Sequence, residues 1–192
     1  MLDKSVPYFD VLMHRKKGAP IPEVELPNKF KFSFFQLGDE KAWAKIETSV
    51  YEFSDELDAF IYFQEHYLPL LSELERRCLF IENEKGEKVA TSTAWWNYTN
   101  NRRDPWLHWV AVNPQYQNIG LGKAIVSKAL RLMLDIEGDR DFYLHTQTWS
   151  HRAIKIYEKL GYVITSEKNL YNYSNENYDK AIEVLNKIYT AT

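Results

Sequence analysis

The sequence predicts a mixed α/β protein built around one sheet. Short strand-like segments alternate with amphipathic helical ones, and a strand runs through Pro114 and a glycine-containing loop into a long apolar helix. A length of 192 residues is that of a single domain with a sizeable core. We therefore expect one domain over 1–192, with an N-terminal arm or strand at 1–29, a core at 30–168 and a C-terminal helix at 169–192.

The N-terminal half is expected to supply a short strand or ordered arm, a proline-rich loop, a strand and a pair of helices. The loop follows from its three prolines and a basic run, the strand from its alternation of apolar and polar residues, and each helix from its apolar spacing. In chain order these elements are the strand or arm at 8–13, the loop at 14–27, the strand at 30–36, a helix opened by Gly38-Asp39 that carries Trp43, Ile46 and Val50, and a helix from Ser54 that carries Leu57, Phe60, Ile61 and Phe63.

The second half is expected to alternate strands with helices. Glu84-Lys85-Gly86-Glu87 is a hairpin turn signal between two strands, and Ser150 can cap a short helix that Gly161 closes. In chain order the elements are strands at 78–81, 89–96 and 107–112, a helix at about 120–136, a strand at 142–146, the short helix, a strand near 162–167, and an amphipathic helix marked by Tyr178, Ala181, Ile182, Leu185 and Ile188.

The loop before the long helix has the properties of a phosphate-binding loop. It presents backbone N–H groups at the positive end of the helix dipole. A dinucleotide fingerprint would need a small residue at Ile125, and a Walker A loop would need a hydroxyl after Lys123, where Ala124 stands. An ordinary strand–turn–helix whose glycines serve only tight packing stays open at this point.

The spacing Gln117-x-x-Gly120-x-Gly122 resembles the pyrophosphate-binding signature of the GNAT superfamily of N-acetyltransferases, [Arg/Gln]-x-x-Gly-x-[Gly/Ala]. A second segment, in which Tyr157 precedes Gly161 by four residues, resembles the family's signature Asn-x-x-Ala-x-x-x-Tyr-x-x-x-Gly-[Phe/Tyr]. The chain departs from this second signature at its first position, which Ser150 occupies where the family usually has Asn. The resemblance covers roughly residues 78–168 well and the first 75 residues loosely.

The resemblance implies an α/β fold with one central, mostly antiparallel sheet, a splayed parallel strand pair and flanking helices. It also implies transfer of an acetyl group from acetyl-CoA to a primary amine of a small molecule or peptide. The expected cofactor-binding residues are backbone groups of Val110, Ala111 and Val112, the loop residues Gln117, Asn118, Ile119, Gly120, Leu121, Gly122 and Lys123, and the side chain of Ser150.

The same resemblance places two catalytic residues. Tyr157 falls at the family's tyrosine, whose phenol stays protonated at neutral pH and can donate a proton to the leaving thiolate. His108, on the strand that ends at Val112, is the candidate general base, with a water chain, His145 or His151 as alternatives.

The acceptor pocket is expected among aromatic residues. Aromatic rings can hold an apolar acceptor or an ammonium group, although they also dominate hydrophobic cores. Acidic residues of the helix pair could attract a cationic amine, or could simply form a solvated helix start. The aromatic candidates are Trp95, Trp106, Trp109 and Trp149, and the acidic ones are Glu52, Asp55 and Glu56.

Composition limits the remaining possibilities. A net charge of −3 gives no reason to expect nucleic acid or a membrane as partner, and no set of His, Cys or acidic residues has metal-ligand spacing. The lone Cys78, the lack of a membrane-length apolar run and the lack of a signal-peptide h-region predict a cytoplasmic protein with a buried thiol. The C-terminal helix can pack on the sheet or join a homodimer.

Two other functions stay open. A catalytically idle domain would bind acyl-CoA as a sensor or interaction module and release no thiol with any acceptor. An unrelated α/β nucleotide-binding protein would be stabilised by ATP rather than by CoA.

Overall fold

A computed structural model describes residues 2–168 and 170–190 as one sheet with helices on both faces. The strands are β1 (Asp10–Arg15), β2 (Lys31–Phe34), β3 (Cys78–Glu82), β4 (Lys88–Thr99), β5 (Arg102–Val112), β6 (Phe142–Gln147) and β7 (Val163–Ile164). The helices are α1 (Glu40–Ser49), α2 (Glu56–His66), α3 (Leu71–Arg77), α4 (Leu121–Glu137), α5 (His151–Lys159) and α6 (Tyr178–Thr190). Short 3₁₀ turns lie at Leu68–Leu70, Pro114–Tyr116 and Thr148–Ser150.

The seven strands are ordered β2-β3-β4-β5-β6-β1-β7. Every neighbouring pair is antiparallel except β5 and β6, which are parallel. The predicted fold class, a mostly antiparallel sheet with one parallel pair and flanking helices, is confirmed. The first strand, β1, lies inside the sheet between β6 and β7, a position that chain order alone did not predict.

Local sequence explains most element boundaries. Gly120 precedes α4 with φ of +95° and Gly161 follows α5 with φ of +91°, conformations that favour glycine. The side chain of Asp55 accepts hydrogen bonds from the N–H groups of Leu57 and Asp58, both at 2.9 Å, so this carboxylate caps α2. Asp55 was considered either as a residue that attracts a cationic amine or as part of a helix start, and the structure shows it at the helix start.

Several predicted elements differ from the structure, three of them by more than a residue or two at one end. β5 begins at Arg102 rather than at residue 107, because it continues the β4 hairpin through the pair Thr99↔Arg102 despite its polar start. The helix α3 was not expected, and β7 is only two residues long. Tertiary pairing decides these segments, and their own sequence patterns carry little signal.

The core has one layer on each face of the sheet. On one face α4 buries Ile125 and Leu130 against β3, β4 and β5, and α6 buries Ala181 and Leu185. On the other face α1 and α2 pack an aromatic layer that includes Trp43. Cys78 is buried as predicted, and desolvation raises the pKa of its thiol to about 12. Within the described ranges no helix is long and apolar enough to cross a membrane.

Replacing Leu130 by Ala should lower the free energy of unfolding by about 3–5 kcal/mol, because a fully buried leucine leaves a cavity in a packed layer. The matched control is Leu134→Ala on the same helix, where the side chain is 37% exposed and should cost less than about 1 kcal/mol. Chemical denaturation of both variants measures the difference. Equal losses would contradict the packing of α4 on the sheet.

Candidate active site

The parallel pairing of β5 and β6 stops soon after it starts. Trp106 pairs with Tyr143 and Leu107 with Leu144, and no later residue of β5 pairs with β6. On its other side β5 carries a bulge, because Thr91 faces Ala111 whereas Thr93 faces His108. A bulge bends a strand and increases its local twist. The two strands therefore diverge beyond Leu107, and the end of β5 borders an opening.

Two cavities meet in this opening. A narrow one of about 160 Å³ lies between the end of β5, the start of α4 and α5. A wide one of about 610 Å³ lies under α1, α2 and their connections. Residues that line both are Leu2, Glu52, Val110, Ser150, Ala153 and Tyr157. A ligand in the narrow cavity and one in the wide cavity could touch each other beside Tyr157.

The narrow cavity is bordered by the start of α4. Gln117 Nε2 donates to the backbone oxygen of Val112 at 2.8 Å, which ties the loop to the end of β5. Asn118 and Gly120 have positive φ values of +64° and +95°. A Cβ atom on Gly122 would lie 3.3 Å from Cδ1 of Ile156, so a glycine keeps this contact free of strain. The first N–H groups of a helix have no partner within it, and they attract anions.

Most of the predicted cofactor residues lie together. Those that line the narrow cavity are Val110, Ala111, Val112, Gln117, Asn118, Gly122 and Ser150. Ile119, Gly120, Leu121 and Lys123 do not line it, and the Leu121 side chain is buried in the core, so its N–H is the group left to contact a ligand. Sequence reasoning missed Arg152, an exposed cation of α5 that borders the same cavity.

Tyr157 stands where the two cavities join. It belongs to α5 and is 6% exposed, and the remaining exposure faces the cavities. Burial raises the pKa of its phenol, and the charges of Glu52 and Glu47 raise it further. The hydroxyl thus stays protonated and can act as a hydrogen-bond or proton donor.

His108 lines the wide cavity with both ring nitrogens engaged. Nδ1 lies 2.7 Å from Tyr67 Oη, and Nε2 lies 3.1 Å from Asn97 Nδ2. If the Asn97 amide donates to Nε2, the neutral ring keeps its proton on Nδ1 and donates it to Tyr67. Burial lowers the pKa of His108 to about 3, with the nearby charge of His145 as the second cause. Both ring nitrogens of His108 thus have partners, and the general base role stays a prediction.

All four predicted tryptophans line the wide cavity, and three of them, Trp95, Trp106 and Trp109, also belong to or pack against buried aromatic clusters. Trp106 is 1% exposed and stacks on Tyr143, so most of its ring is core. Trp109 has a positive φ of +49° and contacts Trp43, Phe53 and Tyr62 with centroid distances of 5.2–5.4 Å. Trp149 is fixed by a 2.8 Å hydrogen bond from Nε1 to the backbone oxygen of Val6.

A buried carboxyl group in the wide cavity was missed by sequence reasoning. Glu47 of α1 is 1% exposed, and its Oε1 accepts no hydrogen bond from any described residue. Burial raises the pKa of Glu47 well above its ordinary value, and Glu52 adds to the shift. The sequence does indicate that Glu47 is buried, because it lies on the apolar face of α1 between Ile46 and Val50. In residues 2–168 and 170–190, no group of three or more His, Cys, Asp or Glu side chains could hold a metal.

Comparison with known proteins gives a family and a fold. Residues 41–162 match the model of the Acetyltransferase (GNAT) family. An N-alpha-acetyltransferase of Sulfurisphaera tokodaii is 29% identical over 111 residues, which cover 54% of this chain and 64% of that protein. The chain thus spans less than two thirds of the length of this relative.

Solved structures agree on the fold. A GCN5-related N-acetyltransferase from Sphaerobacter thermophilus superposes with a TM-score of 0.64 at 18% identity, over 83% of this chain and 49% of the other. A GNAT-family acetyltransferase from Colwellia psychrerythraea gives a TM-score of 0.58 at 11% identity, over 83% and 54% of the two chains. Because the family model matches more than half of the length of this chain, the chain belongs to the GNAT family of acetyltransferases.

Proposed function

We propose that the protein is an N-acetyltransferase that moves an acetyl group from acetyl-CoA to a primary amine of a small molecule or peptide. The observation that carries this proposal is the meeting of two cavities beside Tyr157, one bordered by an anion-attracting helix start and one lined by aromatic and acidic side chains. Family membership supports acetyl transfer. The name of the Sulfurisphaera tokodaii relative keeps peptide α-amines among the candidate acceptors.

The residues of the narrow cavity fit acetyl-CoA. The N–H groups from Asn118 to Lys123 would hold the pyrophosphate, and Arg152 would add a cationic contact at the rim. The backbone of Val110 and Ala111 would pair with the pantetheine amides, because this part of β5 does not pair with β6. The Val112 oxygen already accepts from Gln117 Nε2, so Val112 would contribute its remaining backbone group. When bound, acetyl-CoA supplies an activated thioester. Ser150, whose hydroxyl makes no capping bond on α5, would be free to contact the pantetheine arm.

Tyr157 would act as the acid of the reaction. Its raised pKa keeps the proton on the phenol, and its position between the two cavities supports a role as donor to the leaving sulfur. His108 suits a different role, that of a positioning residue, because its hydrogen bonds to Tyr67 and Asn97 would fix the cavity wall. A buried free thiol at Cys78 supports a reducing compartment, and we propose a cytoplasmic location.

A second candidate is an idle domain that binds acyl-CoA without turnover. The observation in its favour is that the sequence-predicted base, His108, is a weak base at neutral pH. Such a domain would bind acetyl-CoA and release no thiol with any amine.

Acetyl-CoA should raise the melting temperature, whereas ATP and NADH should not. A ligand at about 100 times its dissociation constant stabilises a protein by roughly 2.7 kcal/mol, which is a shift of several degrees for a domain of this size. Differential scanning fluorimetry with the three compounds measures it. A shift with ATP alone would favour the nucleotide-binding alternative, and no shift with acetyl-CoA would refute the proposal.

Substituting Phe for Tyr157 should lower kcat by about 100-fold while acetyl-CoA binding stays unchanged, because only the proton donor is removed. The matched control is Tyr162→Phe: this tyrosine is buried nearby, lies outside both cavities, and its hydroxyl has no hydrogen-bond partner among the described residues. Thiol release with a reactive amine is the readout. Full activity of the Tyr157 variant would remove the acid role.

His108→Gln should leave the acid limb of the pH–rate profile in place. With a pKa of about 3, the His108 ring is already neutral at every pH above about 5, so it cannot produce a transition near neutrality. Rates of wild type and variant between pH 5.5 and 9 test this. If the limb disappears in the variant, His108 is the general base after all.

A further inference from the structure

We propose that the carboxyl group of Glu47 binds the acceptor amine and takes a proton from it. The aromatic side chains beside Glu47 would then select a primary amine that carries one positive charge and an apolar group about the size of one ring. This inference rests on the proposed acetyl transfer, which it deepens by naming the base and the substrate class.

The first observation is the unmatched carboxyl group. Glu47 is 1% exposed, lines the wide cavity, and its Oε1 accepts no hydrogen bond from the described part of the chain. A buried polar atom without a partner is costly and rare in native proteins. An amine in the cavity would supply the missing donors. Because α1 packs against β4 and β5, Glu47 is held on a rigid element.

The titratable groups that interact electrostatically with Glu47 are acidic or neutral. They are Glu52 from the segment after α1, Tyr67 after α2, Cys78 at the start of β3 and Tyr157 on α5. The lysine that lines this cavity, Lys4, is exposed and sits 5.3 Å from the centroid of Trp149. Of the lining histidines, His145 already has a carboxylate partner, Asp10, at 2.8 Å. A cationic ligand would therefore meet attraction at Glu47 with no lysine or arginine to displace.

The raised pKa of Glu47 suits a base that works near neutral pH. Desolvation disfavours its carboxylate, and the charge of Glu52 disfavours it further. A neutral carboxylic acid beside a neutral amine and a carboxylate beside an ammonium contain the same number of protons, and both pairs have zero net charge. The cavity can thus take up the amine in either form with no net buried charge, and a base with a raised pKa removes an ammonium proton more readily than an ordinary glutamate does.

The aromatic wall determines what the amine may carry. Tyr67 and Trp95 lie with ring centroids 5.0 Å apart, Tyr62 and Trp109 lie 5.2 Å apart, and all four line the cavity. Such rings bind apolar bodies and stabilise an adjacent ammonium. The acidic side chains of the lining are Glu47 and Glu52. Glu52 is exposed, and its Oε1 already accepts a hydrogen bond from Gln147 Nε2 at 3.1 Å, so Glu47 is the buried carboxyl group with an unmatched oxygen. The second ammonium of a diamine would find no second buried carboxylate.

The proton balance closes with the residues at hand. The Glu47 carboxylate takes one proton from the bound ammonium, and the amine lone pair then attacks the thioester carbonyl carbon. The new C–N bond forms as the C–S bond breaks, and Tyr157 gives its phenol proton to the departing sulfur. The second nitrogen proton passes to solvent, from which Tyr157 is reprotonated as Glu47 releases its own proton. No oxidant or further reactant is needed.

The test compares Glu47→Gln with wild type and with Glu52→Gln as the matched control. We expect wild type to acetylate 2-phenylethylamine with kcat/KM at least about 10-fold above that for 1,4-diaminobutane or a trialanine peptide. Glu47→Gln should lower kcat/KM for 2-phenylethylamine by about 100-fold, the size of a lost general base. Glu52→Gln should lower it much less, because this side chain is exposed at the cavity mouth.

Two readouts do not depend on turnover. Calorimetric titration of 2-phenylethylamine should show at least about 10-fold weaker binding to Glu47→Gln at pH 8, with unchanged binding of acetyl-CoA. Thermal unfolding checks the fold. A glutamate whose pKa is raised by folding loses its stabilising contribution as the pH rises above its ordinary value. Wild type should therefore become less stable relative to Glu47→Gln between pH 5 and 8.

Each outcome decides. Unchanged amine binding and turnover in Glu47→Gln, with wild type active, would overturn this inference and leave the proposed acetyl transfer intact. Preference for 1,4-diaminobutane or trialanine would overturn the substrate class. If His145→Gln abolishes turnover and Glu47→Gln does not, the group that removes the ammonium proton is instead the pair that His145 forms with Asp10 at 2.8 Å. If wild type does not bind acetyl-CoA, the proposed function fails and this inference fails with it.

Discussion

The site depends on the early end of the pairing between β5 and β6. A parallel pair that continued past Leu107 and Leu144 would close the sheet and bury the edge of β5 in hydrogen bonds. Instead β6 pairs with β1 on its other side, and β5 bends at its bulge. The backbone beyond the bulge faces an opening into which α4 presents its start and α5 presents Tyr157. The positions of the loop, the phenol and both cavities follow from this one interruption.

The bulge is held by side chains rather than by glycine. Trp109 adopts a left-handed φ of +49°, which costs a bulky residue about 1–3 kcal/mol. Its ring packs among Trp43, Phe53 and Tyr62 from α1, α2 and the segment between them, so the aromatic layer offsets that cost. The helix α1, whose Trp43 packs on Trp109 at the bulge, also carries Glu47. Bending of the strand and placement of the carboxyl group are therefore properties of a single packed layer.

Sequence reasoning predicted those features that are local in the chain. Glycines, capping residues and motif spacing in the sequence predict the loop from Gln117 to Gly122 and the helix of Tyr157. In the structure both border one opening. Glu47 and Tyr67 went unnoticed because their meaning depends on packing between distant segments, and an acidic residue on a helix is usually solvated. His108 was identified on its strand, but the burial that lowers its pKa arises from side chains remote in sequence. The place of β1 had no local signal at all.

That place of β1 has a consequence for how the chain reaches its folded state. Asp10 pairs with Gln147 and His14 with Val163, so the earliest strand is bounded on both sides by partners near the far end of the chain. During synthesis β1 must remain without its neighbours until β6 and β7 have emerged, whereas the β2–β5 meander can assemble from segments that precede them. Contacts of such long sequence separation slow folding. The half of the sheet that carries β6, and with it one wall of the opening, is therefore expected to be the last part of the molecule to form.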